Sequence, residues 1–244
     1  MNKNLFFYWE GPQPSLISLL RKLIFKHSNE GKNYRPIFLN DANIVDYIDI
    51  PEFYDNMIYA HKADFIRAAV VNKFGGIYID SDTLVTPSML NMFDLLESND
   101  GFFVRTIEGH ICNGIFGSKK QTDFMQKWEE IIRMKIDRWQ GKFGWTEIGS
   151  KVINYEIDQS LLSNYQILDG PGTVYPVFWK NCVDEFLNKP ESNISKIRKT
   201  YQPAVVLVNS VYKAVQEKTE EELMMLKNPL GQLLRESFGV ENEN

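Results

Sequence analysis

The stretch "NKFGGIYIDSDTLV", residues 72–85, carries a glycine pair, a short apolar run and two aspartates one residue apart. The pair Gly75-Gly76 reads as a helix stop, "IYI" as a buried strand, and Asp80 and Asp82 as acids leaving that strand at its carboxyl end. Side chains two apart on a strand project to the same side, so the spacing predicts neighbouring carboxylates. Two unpaired carboxylates repel, and burying them without a counter-charge is costly. The pattern therefore calls for a positive partner.

Working outward, the chain alternates strand and helix. "NLFFYW" is an apolar and aromatic strand ending at the turn-rich "EGPQP". "SLISLLRKLIF" has helical spacing with Ser15 placed to cap it, and "YRPIFLN" reads as a second strand. In "AHKADFIRAAVVNKFGG" a helix puts Ala63, Ile66, Ala69 and Val70 on one side. "TPSMLNMFDLLE" begins another helix, with Pro87 in its first turn. "GFFVRT" and "ICNGIFGS" are strand candidates. "QTDFMQKWEEIIRMKIDRW" is the clearest amphipathic helix, with Phe124, Trp128, Ile131, Ile132 and Ile136 along one face. "EIGSKVINYEI" reads as helical and "AVVLV" as a last core strand. "TEEELMMLKNPLGQLLRESF" opens on a capping box of Thr219 and Glu222, and "GVENEN" is a polar tail. The expected fold is α/β, a mostly parallel central sheet flanked by helices, in one domain over 1–244. In such sheets ligands gather at the carboxyl ends of strands, where Asp80 and Asp82 fall.

Composition sets the outer bounds. The chain has 244 residues and a net charge of -5, with both signs interspersed, which excludes a nucleic-acid binder held by phosphate contacts. No apolar run reaches the length of a membrane span, and "MNKNLFFYWEG" lacks the form of a signal peptide. Cys112 and Cys182 lie outside any C-x-x-C spacing and read as buried thiols. A soluble, cytoplasmic protein is expected, with room for peripheral membrane contact. His27, His61 and His110 show no paired metal spacing.

Closely spaced carboxylates at a strand end suit a hard divalent cation such as Mg²⁺ or Mn²⁺, which takes oxygen ligands and completes its shell with water and a diphosphate. The plain alternative is a polar corner closed by Asx hydrogen bonds. Asp64 and Arg67, three apart on the preceding helix, share a face. Their plain alternative is a local ion pair worth little if exposed.

The longer run "KADFIRAAVVNKFGGIYIDSD" resembles the DXD-containing glycosyltransferases of the GT-A fold. Within them it is similar to the capsular-polysaccharide-synthesis and yeast-mannosyltransferase-like group and, more distantly, to the clostridial glucosylating toxins. The family pattern is K-[AS]-D-x-x-R, about ten residues, then G-G-x-Y-x-D-x-D. Lys62, Ala63, Asp64, Arg67, Gly75, Gly76, Tyr78, Asp80 and Asp82 all match it. "FFYWEGPQP" resembles the family's first strand and "ICNGIFGSKK" a later one.

The resemblance implies a metal-dependent, retaining transfer of a sugar from a nucleotide diphosphate sugar to a hydroxyl of a glycan or glycolipid acceptor. A UDP-sugar is favoured over a GDP-sugar. It also implies roles. Asp82 is the direct metal ligand, and Asp80 shares the metal while contacting the donor's ribose and sugar. Asp64 and Arg67 contact sugar hydroxyls, with Arg67 near the diphosphate, and Asn113 reaches the reactive carbon. Tyr78 lines the nucleotide pocket and Trp9 stacks on the base, though either ring equally suits a core position. Residues 1–120 form the nucleotide-sugar part and 121–244 the acceptor and closing part.

The match departs from the family late in the chain. Val206 stands where a histidine is expected and Val211-Tyr212 where Ser-Trp is expected, leaving Asn209 and Ser210 as oxygen donors to complete the metal shell. The T-G-P-like segment is blurred to "TEIGSKV". An inverting reaction would need a general base, for which Glu147 and Asp158 are available acids. The rival readings are a nucleotidyltransferase or nucleotide-sugar hydrolase, and a catalytically degenerate glycan-binding or scaffold subunit.

Overall fold

The apolar run near the amino end forms β1 (Asn4–Tyr8), buried at every position. The computed structural model describes residues 3–138, 141–199 and 201–240. After β1 come helix α1 (Ser15–Ser28), β2 (Arg35–Leu39), helix α2 (Tyr59–Phe74), β3 (Gly76–Ile79) and the short β4 (Thr83–Val85). A one-turn helix α3 (Leu95–Ser98) leads to β5 (Gly101–Arg105), β6 (Ile111–Ser118) and helix α4 (Asp123–Asp137). Then follow β7 (Tyr165–Asp169), the one-turn helices α5 (Gly170–Thr173) and α6 (Ile194–Ile197), β8 (Ala204–Val206), and helices α7 (Glu220–Met224) and α8 (Pro229–Phe238).

Among the described residues the main sheet has six strands in the order β2-β1-β3-β6-β5-β7. β1 runs parallel to β2 and β3, β5 runs parallel to β7, and β6 is antiparallel to both its neighbours. The sheet is thus mostly parallel, with β6 alone reversed. Strand alternation divides the interior in two. Leu5, Phe7, Ile77 and Ile79 face the core under α1, while Phe6, Tyr8 and Tyr78 face the core under α2 and α4. Helices on both faces explain why these strands read as unbroken apolar runs. Gly76 is required where β3 meets β1: its φ is +125°, and a Cβ there would lie 2.5 Å from the Asn4 carbonyl oxygen.

Several local expectations change. Ser15 opens α1 rather than capping it; Pro14 holds the cap position with no side-chain hydrogen bond. Pro87–Phe93 is a 3-10 segment, capped by Thr86, instead of an α-helix. "AVVLV" supplies β8, which pairs antiparallel with β4 in a separate two-stranded sheet outside the main one. Val152–Glu156 winds as a π-helix. The Thr219–Glu222 capping box forms, but Pro229 starts a new helix, so the last amphipathic stretch is two helices. β7 follows a short turn and mixes exposed with partly buried positions, which hides its strand pattern. The predicted α4 extends to Trp139, which lies outside the described residues, as do positions 241–244 of the polar tail.

Candidate active site

The switch from α2 to β3 builds the centre of the site. β3 stops at Ile79, so Asp80 follows the strand and Asp82 sits in the turn before β4. The acids are therefore not two strand positions on one face. Asp80 still keeps strand-like pairing, its N–H donating to the Gly114 carbonyl at 2.7 Å. Its parity with Tyr78 turns the side chain toward α2, where Arg67 waits.

Arg67 is the hub. Its Nη2 lies 3.0 Å from Asp80 Oδ1 and 3.5 Å from Asp64 Oδ1. Its Nη1 donates to the Asn113 carbonyl at 2.9 Å and its Nε to the Ala63 carbonyl at 3.0 Å. The guanidinium carbon stands 5.0 Å from the Tyr78 ring centroid. Asn113 Nδ2 donates to Asp64 Oδ1 at 2.7 Å. The side chains of Asp64 and Arg67 are only 10% and 7% exposed, so the exposed-pair alternative does not hold. A guanidinium satisfied by two carboxylates and two carbonyls is the arrangement in which a buried charge is tolerated.

The antiparallel pairing of β3 with β6 brings Asn113 and Gly114 beside Asp80. A Cβ at Gly114 would come within 2.5 Å of Asp80 Oδ2. Asn154, on the π-helix, accepts from the Ile111 N–H at 2.8 Å and donates to the Ile111 carbonyl at 2.9 Å, fixing the start of β6 two residues before Asn113. A Cβ at Gly149 would lie 2.6 Å from Asp64 Oδ2 and 2.7 Å from Asn113 Nδ2. The "TEIGSKV" segment therefore lies directly over the sugar-contact candidates.

Asp82 is held from the carboxyl-terminal side. Its Oδ2 accepts from the Asn209 N–H at 2.8 Å, and its carbonyl accepts from the Leu207 N–H at 3.0 Å. Val208 adopts φ +53°, ψ +62°, a left-handed conformation unfavourable for a β-branched residue, at the bend that points the Asn209 N–H at Asp82. The Asn209 Oδ1 accepts from Gln216 Nε2 at 3.0 Å.

Electrostatics follow from this crowding. Burial, offset in part by Arg67 and reinforced by Asp82 and Asp64, pushes the Asp80 carboxyl up to about 7. Burial raises Asp64 against the opposing pull of Arg67 and Asn113. It also raises Asp82 against the Asn209 N–H. Arg67 is held more firmly protonated than usual, burial being outweighed by Asp80, Tyr78 and Asp64. Three carboxylates face one guanidinium, so full ionisation leaves a negative excess.

The donor set fits a divalent cation. Asp82 Oδ1 is buried with no hydrogen-bond partner, and the nearby groups are the oxygen donors such an ion prefers. Among the described residues no three His, Cys, Asp or Glu side chains converge on one metal-sized point. The residues that would hold such an ion are Asp80 and Asp82, with Asn209 and Ser210 on the same cavity wall.

All of these side chains open onto one cavity of about 500 Å³. Its walls include Trp9, Asp64, Arg67, Tyr78, Asp80, Asp82, Asn113, Asn209 and Ser210, so the residues to which the resemblance gives donor or metal contacts are brought together. Trp9 is partly buried, its indole N–H donating to the Pro12 carbonyl at 3.3 Å. Tyr78 is fully buried and belongs to the core under α2 as well as to the cavity wall. Glu10, Tyr59, Trp145, Thr146 and Ser150 also line the cavity without having been anticipated. The only sequence signal for the last two was the blurred "TEIGSKV" segment. Glu147 and Asp158 do not line it; each accepts a hydrogen bond from a nearby backbone N–H.

Among the described residues no helix is long and apolar enough to cross a membrane. Over 82 residues the chain is 29% identical to an uncharacterised glycosyltransferase of Acanthamoeba polyphaga mimivirus, a match covering 34% of this chain and 32% of that protein. The chain thus matches about a third of that relative's length. Among solved structures, a glycosyltransferase involved in the glycosylation of the major capsid of PBCV-1 superposes with a TM-score of 0.53 at 11% identity, covering 85% of this chain and 94% of that one. The apo-form glycosyltransferase GlyE of Streptococcus pneumoniae superposes at 0.52 and 14% identity, covering 98% of this chain and 64% of that one. These likenesses show the fold, a GT-A-type α/β architecture. Residues 1–136 match the profile described as capsular polysaccharide synthesis protein, and with more than half its length inside that match the chain belongs to this family.

Proposed function

We propose that the protein is a metal-dependent glycosyltransferase that moves a sugar from a nucleotide diphosphate sugar to a hydroxyl of a glycan acceptor, with retention of configuration. The observation that carries the reading is the Arg67 hub, which joins Asp64, Asp80 and Asn113 on the floor of a cavity whose wall includes Trp9. Family membership and the shared fold support it. Residues 1–120 would hold the donor, a UDP-sugar in preference to a GDP-sugar, and 121–244 the acceptor.

In this reading Trp9 stacks on the donor base, with its indole held by Pro12, and Tyr78 backs the nucleotide pocket. Asp64 accepts hydrogen bonds from hydroxyls of the transferred sugar, while Arg67 orients Asp64 and Asp80 and opposes the burial that raises both. Asn113 sets the sugar beside Asp80. Asp80, Asp82, Asn209 and Ser210 would hold Mn²⁺ or Mg²⁺, which supplies charge neutralisation to the departing diphosphate. The acceptor oxygen bonds to the anomeric carbon as the bond from that carbon to the phosphate oxygen breaks. The acceptor proton passes to the departing phosphate oxygen, so no side-chain base is required. The absence of Glu147 and Asp158 from the cavity wall agrees with this. The chain's own contribution is positioning and electrostatic stabilisation.

A thermal-shift screen of UDP-, GDP- and CMP-sugars, with and without Mn²⁺, tests the reading, followed by assay of nucleoside diphosphate release. A donor that raises the melting temperature only with metal, and is then consumed, supports it. Pyrophosphate release would point instead to a nucleotidyltransferase.

A further inference from the structure

A second cavity, of about 290 Å³, shares Asp80 and Asp82 with the first in its lining. Its wall carries the aromatic rings of Tyr175, Phe178 and Trp179, together with Ile107. Trp179 is 47% exposed and Ile107 66% exposed, so this apolar surface is open to a ligand. Phe178 and Trp179 stand edge to face, ring centroids 5.9 Å apart. Tyr175 is fixed by a contact of 2.8 Å between its hydroxyl and Cys112 Sγ.

Two polar groups accompany the rings. The Thr106 hydroxyl oxygen is buried without a hydrogen-bond partner, and Thr106 lines this cavity. The Glu108 carboxylate lies on the same wall. An orphaned buried hydroxyl is costly unless a ligand group meets it. Among the described residues that line the cavity there is no lysine or arginine; Lys180 stands beside it, its Nζ 5.3 Å from the Trp179 ring centroid and 5.7 Å from that of Phe178. With Asp80, Asp82 and Glu108 in the lining against the single ammonium of Lys180 beside it, the site disfavours an anionic occupant.

We propose that this cavity is the acceptor site and that it takes an uncharged sugar ring. The apolar face of the ring lies on Trp179 and Phe178, one hydroxyl meets Thr106, another meets Glu108, and the reacting hydroxyl points toward Asp80 and the donor cavity. The inference rests on the glycosyltransferase reading, because the shared Asp80–Asp82 wall is what makes this neighbour an acceptor. Aromatic rings offer a flat apolar surface that a sugar's C–H face can cover, while its hydroxyls satisfy the polar rim.

Saturation-transfer NMR on the full chain, with nucleoside diphosphate and Mg²⁺ present, tests it. The probes are methyl glucoside, maltose, cellobiose and lactose as neutral sugars, glucose 6-phosphate as an anionic sugar, and octanol as an apolar chain. The expected result is binding of at least one neutral sugar, preferred over the other two classes. Trp179→Ala should weaken it about tenfold, the scale of one lost ring contact, and Trp179→Phe should restore most of it. Thr106→Val, which keeps the side-chain shape, should weaken it too. Preference for the phosphorylated sugar or octanol, binding by no neutral sugar, or binding unchanged in a folded Trp179→Ala variant would overturn the proposal. Donor consumption by the wild-type protein is measured separately. Its failure with every nucleotide sugar counts against the glycosyltransferase reading, whereas failure of the NMR test alone counts only against the acceptor site.

Discussion

Arg67 Nη2 lies 3.0 Å from Asp80 Oδ1, so a helix residue thirteen positions upstream in the chain neutralises an acid in the turn after β3. The contact depends on α2 ending at Gly75 and on β3 having an even run between Tyr78 and Asp80. Arg67→Met removes the guanidinium that pairs with Asp64 and Asp80 and leaves both carboxylates, with Asp82 nearby, without that counter-charge. It should cost about 3–5 kcal/mol of stability, as breaking a buried pair does. Urea denaturation of wild type and variant checks this; a change within about 0.5 kcal/mol, the range of ordinary surface substitutions, would contradict it.

Asp82→Ala should remove the metal dependence of nucleoside diphosphate binding while leaving the fold intact. The side chain contributes one hydrogen bond, to the Asn209 N–H, and its other oxygen has no partner to lose. Isothermal titration of Mn²⁺ into nucleotide-loaded protein is the check. Equal metal affinity in wild type and variant would remove Asp82 from the metal site.

Trp9→Ala should weaken nucleoside diphosphate binding by about 1–3 kcal/mol, the range for a lost base–aromatic stack. The ring is partly buried and also packs against the core, so a melting curve is recorded beside the affinity. Early melting with normal affinity would assign Trp9 to the core alone.

Gly149→Ala tests the packing of the closing segment. The added methyl would sit 2.6 Å from Asp64 Oδ2 and 2.7 Å from Asn113 Nδ2, and one of these side chains must move. Sugar transfer should fall by at least about tenfold, since small misplacements of positioning groups cost about a hundredfold. Affinity for free nucleoside diphosphate should hold. Normal transfer by this variant would show that the segment yields without disturbing Asp64.

The central part of this arrangement was legible because local chemistry repeats it. The helix pattern around Asp64 and Arg67, the Gly75-Gly76 stop and the apolar strand before Asp80 each agree with the fold that forms. What escaped was set by partners distant in sequence. Nothing near "AVVLV" states that it pairs with β4 outside the main sheet, yet that pairing carries Asn209 to Asp82. Ser15 has the chemistry of a cap but is displaced from it by Pro14. Trp145, Thr146 and Ser150 reach the cavity through a fold-back whose only local mark is a glycine among small polar residues. The second cavity brings Thr106 and Trp179, far apart in the chain, into one lining that no local pattern announces.

The most direct test of the central claim is Asp64→Asn, measured with two ligands and one rate. In the proposed reading Asp64 touches the sugar and not the nucleotide; its carboxylate is held by Asn113 and Arg67. The account predicts that free nucleoside diphosphate binds the variant as it binds wild type in the presence of Mn²⁺. Turnover of the nucleotide sugar should fall by about tenfold or more, the equivalent of a charged hydrogen bond worth about 1.5–3 kcal/mol. Equal weakening of free nucleotide and nucleotide sugar, or turnover left at the wild-type rate, would contradict it.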